Sequence, residues 1–244
     1  MIKNNQELVA AAIFAAENCK TLYVLGCFGA PMNPANKKRY SANYPFNAKE
    51  TRSAKIHAAS SDTFGFDCVC FIKGLLWDWA GDANHTYGGA NYQSNGVPDI
   101  NSSSMINACK EISTDFSVIV PGEVVWIPGH IGIYIGDGKA VECTYRWNDG
   151  VQITAVHNMG KIAGLNGRVW TKHGKLPWIS YVKEAPKEEA SKEEIPAETE
   201  LDKAVTVLAL EVINGRFGNG QERKEKLYKT VQDRVNQLCK EGVS

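Results

Sequence analysis

The stretch Thr63 to Trp79, TFGFDCVCFIKGLLWDW, constrains the fold more than any other part of the chain. Asp67 is a good helix N-cap, and Val69, Phe71, Ile72, Leu75, Leu76 and Trp79 follow at offsets that put most of them on one helical face. So apolar a helix must be buried, which predicts a central helix with the rest of a domain packed around it. Its first turn carries Cys68. Unpaired backbone N–H groups and the positive end of the helix dipole favour thiolate over thiol there, making Cys68 a candidate nucleophile. A helix-face cysteine is also a common inert core residue, because free cysteines are among the most buried side chains. Residues further along must decide between the two.

The chain has 244 residues, which suits one medium domain plus a small module. Its 27 basic and 27 acidic residues cancel, so no global charge argues for nucleic acid or a membrane surface as partner. Seven cysteines, at 19, 27, 68, 70, 109, 143 and 239, are an odd number that fits no disulfide framework. They suggest synthesis in a reducing compartment. The run Leu8 to Ala16 superficially matches a signal-peptide core, but Lys3 is the only basic residue before it, Glu7 adjoins it and no convincing cleavage site follows. An Ala-rich helix from about Asn5 to Asn18 is expected instead. No other apolar run approaches the roughly 20 residues that span a bilayer, so a soluble protein with no membrane insertion is expected.

A short apolar run, TLYVLGCFGA, ends at Ala30 and is followed by a polar insert to Asp62, read as a solvated loop bearing Lys37, Lys38 and Arg39, with His57 on the surface. After the Cys68 helix, GDANHTYGGANYQSNGVPDINSSS has no periodicity and is assigned to a substrate groove wall carrying Tyr87 and Tyr92. Gly88 and Gly89 make no phosphate loop, because no helix with a Lys-Ser/Thr pair follows. His85 lacks a partner at ligand spacing and Cys68-x-Cys70 lacks a second pair, so neither metal nor cofactor is expected. Then Glu123 to Ile127, Ile131 to Ile135, Ala140 to Thr144 and Val151 to Val156 read as strands of an antiparallel meander. A helix followed by such a meander implies an α+β fold with the helix packed on one sheet face. His130 opens the second strand.

Two segments, FDCVCFIKGL and PGEVVWIPGHIGIYIGDGKAVEC, resemble the NlpC-type papain-like cysteine peptidases, whose pattern is Asp-Cys on a helix, Pro-Gly-Asp before a strand and His-x-Gly-x-Tyr-x-Gly. The resemblance covers roughly residues 1 to 182, with LYVLGCFGA similar to that family's Tyr-containing motif displaced upstream by the insert. It implies that Cys68 is the nucleophile, His130 the general base and Tyr23 an oxyanion or substrate contact. The third catalytic position falls on Glu142. Most members carry histidine there, whereas related CHAP amidases often use an acidic residue or Asn. Val69-Cys70 for Ser-Gly, Glu123 for Asp and Cys27 for Gly are lesser departures, with Cys70 read as packing.

Amide cleavage needs an activated nucleophile, a base within reach and a group that fixes the base's tautomer; Cys68, His130 and Glu142 are the right types. Thiolate and imidazolium are expected as the resting pair, with the Cys68 backbone N–H donating to the oxyanion. His157 and His173 are read as surface or satisfied residues. Hairpin geometry tests Glu142. A two-residue Asp137-Gly138 turn in regular register would pair Glu142 with Ile133, on the face opposite His130. A three-residue Gly136-Asp137-Gly138 loop, with Gly138 as a left-handed bulge, pairs Ile135 with Lys139 and Glu142 with Gly132. The bulged register is the expectation, with Glu142 bonded to His130.

At Lys183 the composition changes. Residues 183–200, KEAPKEEASKEEIPAETE, are charged and Pro-punctuated, and read as a flexible linker. Helical periodicity resumes over 201–244, at Val205, Leu208 and Val212, then Leu227 and Val231, then Val235 and Leu238, for an expected three-helix module. Within it EVINGRFGNGQERKEKL and VQDRVNQL resemble the Cpl-seven-type cell-wall-binding repeat of phage lysins, which binds the muropeptide part of bacterial peptidoglycan. The resemblance implies that Arg223 contacts ligand carboxylates while Gly218, Asn219 and Gly220 shape the turn. Together the two resemblances imply an endolysin: a cysteine amidase or endopeptidase tethered to a wall-binding module, made in the host cytoplasm without a signal peptide and acting on the wall after release. The alternatives are a catalytically inactive wall binder and an acyltransferase on the same fold. Which bond is cut stays open among N-acetylmuramoyl to L-Ala, D-Glu to the diamino acid, and a cross-bridge peptide.

Overall fold

The structure is a computed structural model that describes residues 1–182 and Lys229. The chain divides into two units, Met1–Glu184 and Ala185–Ser244. The expected linker, the three-helix module and the candidate binding residues Gly218, Asn219, Gly220 and Arg223 lie outside the described residues.

The first helix, α1 (Asn5–Asn18), starts where the Asn4 side chain accepts a hydrogen bond from the Glu7 N–H. Leu8, Ala12 and Ala15, at spacings of one helical turn, form its buried stripe. Next come β1 (Thr21–Tyr23) and β2 (Phe28–Pro31), which sandwich β3 (Phe64–Phe66) in a small sheet of order β1-β3-β2, with β1 parallel and β2 antiparallel to β3.

Between β2 and β3 the polar insert is helical, which corrects the expected loop. It forms α2 (Pro34–Asn43), α3 (Pro45–Ala48) and α4 (Glu50–Ala58). Lys37, Lys38 and Arg39 therefore sit on α2, and Lys37 Nζ donates to the His57 carbonyl at 2.9 Å. The overlooked signal was Asn33-Pro34, a capping side chain followed by a proline at the first helical position. Buried Arg52 of α4 docks the insert by donating to both oxygens of Asp149 (2.8 and 2.6 Å) and to the Tyr23 carbonyl.

The Cys68 helix, α5 (Cys68–Leu76), is buried at every residue, and the Asp67 side chain caps it by accepting from the Cys70 N–H. It ends earlier than expected, because Asp78 adopts a left-handed conformation (φ 69°), leaving Trp79 beyond the helix with its indole N–H on the Gly29 carbonyl. Close packing on β2 depends on Gly74: a Cβ there would lie 2.7 Å from the Phe28 carbonyl oxygen.

The second half of the unit contains α6 (Ser102–Ala108), β4 (Lys110–Ser113), a 3-10 turn at Phe116–Val118, β5 (Val124–Ile127), β6 (His130–Gly136), β7 (Lys139–Thr144), β8 (Gly150–Val156), β9 (Gly167–Arg168) and β10 (Lys172–Lys175). These strands form one sheet of order β4-β10-β5-β6-β7-β8-β9, antiparallel except for the β8–β9 pair. The expected meander is β5 to β8. Helix α5 packs on β6 and β7, and α1 lies beside it against β6 and β8, so both helices pack on the sheet in an α+β arrangement.

The β6–β7 turn differs from expectation. Asp137 (φ 49°) and Gly138 (φ 68°) form a two-residue turn closed by Gly136 opposite Lys139. The register shifts instead between Tyr134 and Gly136, leaving Ile135 as the extra residue. A bulge on the strand thus does what was expected of a bulge in the loop, and Ile133 opposes Val141. Gly132 therefore lies opposite Glu142. No helix among the described residues is long and apolar enough to cross a membrane.

Candidate active site

Glu142 of β7 has no exposed surface and is bonded on every side. His130 Nε2 lies 2.6 Å from its Oε2, Thr154 Oγ1 donates to Oε1 at 2.8 Å, and Arg168 donates to both oxygens, from Nη2 at 2.5 Å and Nε at 3.1 Å. Burial by itself raises a carboxyl pKa; here the His130 hydrogen bond and charge, the Arg168 charge and the Thr154 hydrogen bond outweigh it and hold Glu142 below its usual value. An ionised carboxylate only accepts, so His130 Nε2 carries the proton and Nδ1 is the free basic nitrogen. The contact is sterically dependent on Gly132, since a Cβ there would lie 3.2 Å from Glu142 Cβ and 3.3 Å from the Trp170 ring.

Trp170 stacks on the His130 imidazole, with centroids 5.7 Å apart and planes 15° from parallel. The Arg168 guanidinium lies between the rings of Trp147 and Trp170, 5.0 and 5.3 Å from their centroids. The segment carrying Trp170 is pinned by Asn158, whose amide exchanges two hydrogen bonds with the Trp170 backbone at 2.7 and 2.9 Å. Sequence reasoning missed Thr154, Arg168 and Trp170. Thr154 was findable, because its register partner Ala140 puts it two residues from Gln152, which opposes Glu142. Nothing in the spacing of Arg168 or Trp170 marks them.

Cys68 opens α5 and is 8% exposed. Burial, and next the Asp67 charge, push its thiol up to about 12, while backbone N–H groups of Val69, Ile131 and Cys68 itself act in the opposite direction. This direction runs against the expected thiolate–imidazolium resting pair, because desolvation outweighs the helix N-terminal effect. Helix α5, which Cys68 opens, packs on β6, the strand that His130 opens.

Tyr23 is buried at the end of β1, edge-on to Phe46 (5.7 Å) and Tyr145 (5.4 Å). Burial, then the neighbouring Cys68 and Asp67, raise its hydroxyl pKa, so it can only be a neutral donor at the site. Tyr87 and Tyr92, expected in a groove wall, line a cavity of about 570 Å³ alongside α5. Cys70 is buried packing. His173 is buried and satisfied by Glu123 and the Asp115 carbonyl, which also gives the Glu123 departure a structural role.

Residues 207–239 match a family model described as the CW_7 repeat. This is the segment whose Gly-Arg-Phe-Gly-Asn-Gly core resembles the wall-binding repeat. A comparison with curated proteins finds no match. Among solved structures, NlpC2 from Trichomonas vaginalis is similar with a TM-score of 0.35 and 12% identity, over 70% of this chain and 46% of that one. NlpC1 from the same organism gives a TM-score of 0.35 and 13% identity, over 71% of this chain and 44% of that one. The chain spans less than half of either protein, and likenesses this slight carry no weight for the chemistry of the site.

Proposed function

We propose that this chain is a peptidoglycan hydrolase of endolysin type, cleaving an amide bond of the cell-wall peptides with Cys68 as nucleophile, His130 as general base and Glu142 as the group orienting His130. The observation that carries this reading is the 2.6 Å contact between His130 Nε2 and the ionised, fully buried Glu142, with His130 at the start of the strand on which the Cys68 helix packs. The CW_7 repeat at 207–239 supports cell-wall peptidoglycan as the partner. Release onto the wall from the host cytoplasm belongs to the same proposal.

In this mechanism Glu142 fixes the imidazole so that Nδ1 is free to take the thiol proton as sulfur attacks the amide carbonyl. Because Cys68 rests as a thiol, proton transfer accompanies attack instead of preceding it. The imidazolium then gives the proton to the leaving amine, and water releases the acyl group by the reverse sequence. The backbone N–H of Cys68, and Tyr23 as a neutral hydroxyl, are the donors offered to the oxyanion.

The test is lysis of purified walls by the full chain and by Cys68→Ala and His130→Ala. Each substitution removes half of the reacting pair, and lysis is expected to fall at least about a thousandfold in either. Near-native lysis in either variant would refute the assignment. A second reading, a wall binder without turnover, is favoured by the burial and raised pKa of Cys68. It requires that the unmodified chain release no peptide from walls it sediments with.

A further inference from the structure

Beside the catalytic helix lies a cavity of about 570 Å³ whose wall includes Asp67 and Val69, the residues on either side of Cys68. The polar groups lining it do not balance. Asp67 accepts the Gly26 and Cys70 backbone N–H groups at 2.8 and 2.7 Å, one on each carboxylate oxygen. Asp99 is likewise occupied, by buried Lys73 on one oxygen and by the Tyr92 hydroxyl at 2.8 Å on the other. Both carboxylates are thus supplied with donors from within the fold.

Arg39, from the helical insert, is the exception. Its Nη1 donates to the uncharged Tyr87 hydroxyl at 2.7 Å, and it forms no salt bridge to any carboxylate among the described residues. The exposed guanidinium lies 5.4 and 5.6 Å from the Tyr40 and Tyr87 ring centroids. A planar cation beside two tyrosines, open to solvent and with donors left over, is placed to take a bidentate carboxylate partner. Flanking it, Phe28 and Tyr87 (4.6 Å between centroids) and Tyr92 supply an apolar wall for the chain that bears such a group.

We propose that this cavity is the subsite that selects the substrate, and that Arg39 pairs there with a free carboxylate of the wall peptide stem. The inference rests on the hydrolase reading and adds to it the charge of the substrate. Stem peptides offer two sources of that group, the glutamyl α-carboxylate and the carboxyl terminus, and amidation of each in turn distinguishes them.

The experiment measures KM and kcat of the full chain on three soluble stem peptides: the free acid, its glutamyl α-amide and its C-terminal amide. One of the two amides is expected to raise KM about tenfold or more. In Arg39→Gln that acid-over-amide preference should shrink to within about twofold, while Arg39→Lys should keep part of it. Calorimetric binding of the same peptides to Cys68→Ala gives a second measurement that needs no turnover. If the unmodified chain cleaves none of the peptides but Cys68→Ala still binds the acid in preference and Arg39→Gln removes that preference, the hydrolase reading fails and the subsite stands. Equal KM and equal affinity for acid and amides, or a preference that survives Arg39→Gln, would overturn the subsite whatever the outcome for hydrolysis.

Discussion

Arg168 does for Glu142 what water does for an exposed carboxylate: it supplies two charge-assisted donors to a group with no exposed surface. Removing one member of such a buried pair typically costs roughly 3–5 kcal/mol, because the other charge is left uncompensated. Arg168→Met is therefore expected to lower stability by about that amount in urea unfolding. Its pH dependence has a definite sign. Since Glu142 is held below its usual value in the folded state, its contribution to stability is fully present above the ordinary carboxylate range and is lost as pH falls through the lowered value. In Arg168→Met the Glu142 value rises, so acid destabilisation should begin at higher pH. Glu142→Gln removes the charge but keeps the shape, and its loss of turnover should be smaller than that of Cys68→Ala. The raised Cys68 thiol gives a separate expectation: iodoacetamide should label Cys68 in the unliganded chain more slowly than a free cysteine at neutral pH, with a rate that climbs with pH up to about 12. Labelling faster than a free thiol at neutral pH would mean that a thiolate is present at rest. At this scale Cys68 and His130 could be singled out as candidates because each sits in a local pattern. Arg168 and Trp170 were not, because they reach the site across 26 and 40 residues through strand β9 and the turn after it, and single-residue side-chain partners leave no periodic trace.

Among the elements, the β6–β7 hairpin carries most of the geometry of the candidate site. The strand bulge at Ile135 brings Glu142 to the face of His130 even though the turn itself is the tight Asp-Gly type. The face of Glu142 was legible from the requirement that it meet His130, whereas the location of the extra residue was not, since a bulge in the loop and a bulge in the strand yield the same pairing beyond it. Gly132→Ala tests the arrangement directly. Its added methyl group would sit 3.1 Å from the Val141 carbonyl oxygen and 3.2 Å from Glu142 Cβ, so the two strands must give way. About 1–3 kcal/mol of stability should be lost, together with more than tenfold in turnover as the His130–Glu142 contact opens. The insert was the largest misreading of an element, because its polar composition hid three helices that bury few residues and are held by docking more than by a core of their own. Arg52→Ala should accordingly lower stability by roughly 3 kcal/mol, with Lys55 still paired to Asp149 at 2.5 Å and limiting the loss. A change below about half a kilocalorie per mole would show that Arg52 does not anchor the insert.

In the molecule as a whole, the proposed hydrolytic unit precedes a segment with the CW_7 repeat. Tethering raises the local concentration of catalyst on an insoluble substrate even when each contact is weak. Deleting residues 183–244 is therefore expected to reduce lysis of intact walls by tenfold or more, and hydrolysis of soluble muropeptides by less than about twofold; equal losses on the two substrates would remove the targeting role. Arg223→Ala should weaken cosedimentation of the full chain with purified walls. In composition, a charged, Pro-punctuated run separates two stretches of apolar periodicity, and the residues beyond 182 that it would divide lie outside the described ones but for Lys229. Amide hydrolysis by Cys68 is read out by digesting purified walls in oxygen-18 water and analysing the released peptides by mass spectrometry. New amino groups are expected from the unmodified chain, each matched by a carboxyl group carrying one labelled oxygen, and neither product from Cys68→Ala. Labelled products at the same rate from Cys68→Ala, or no new amino groups from the unmodified chain, would contradict hydrolysis by Cys68.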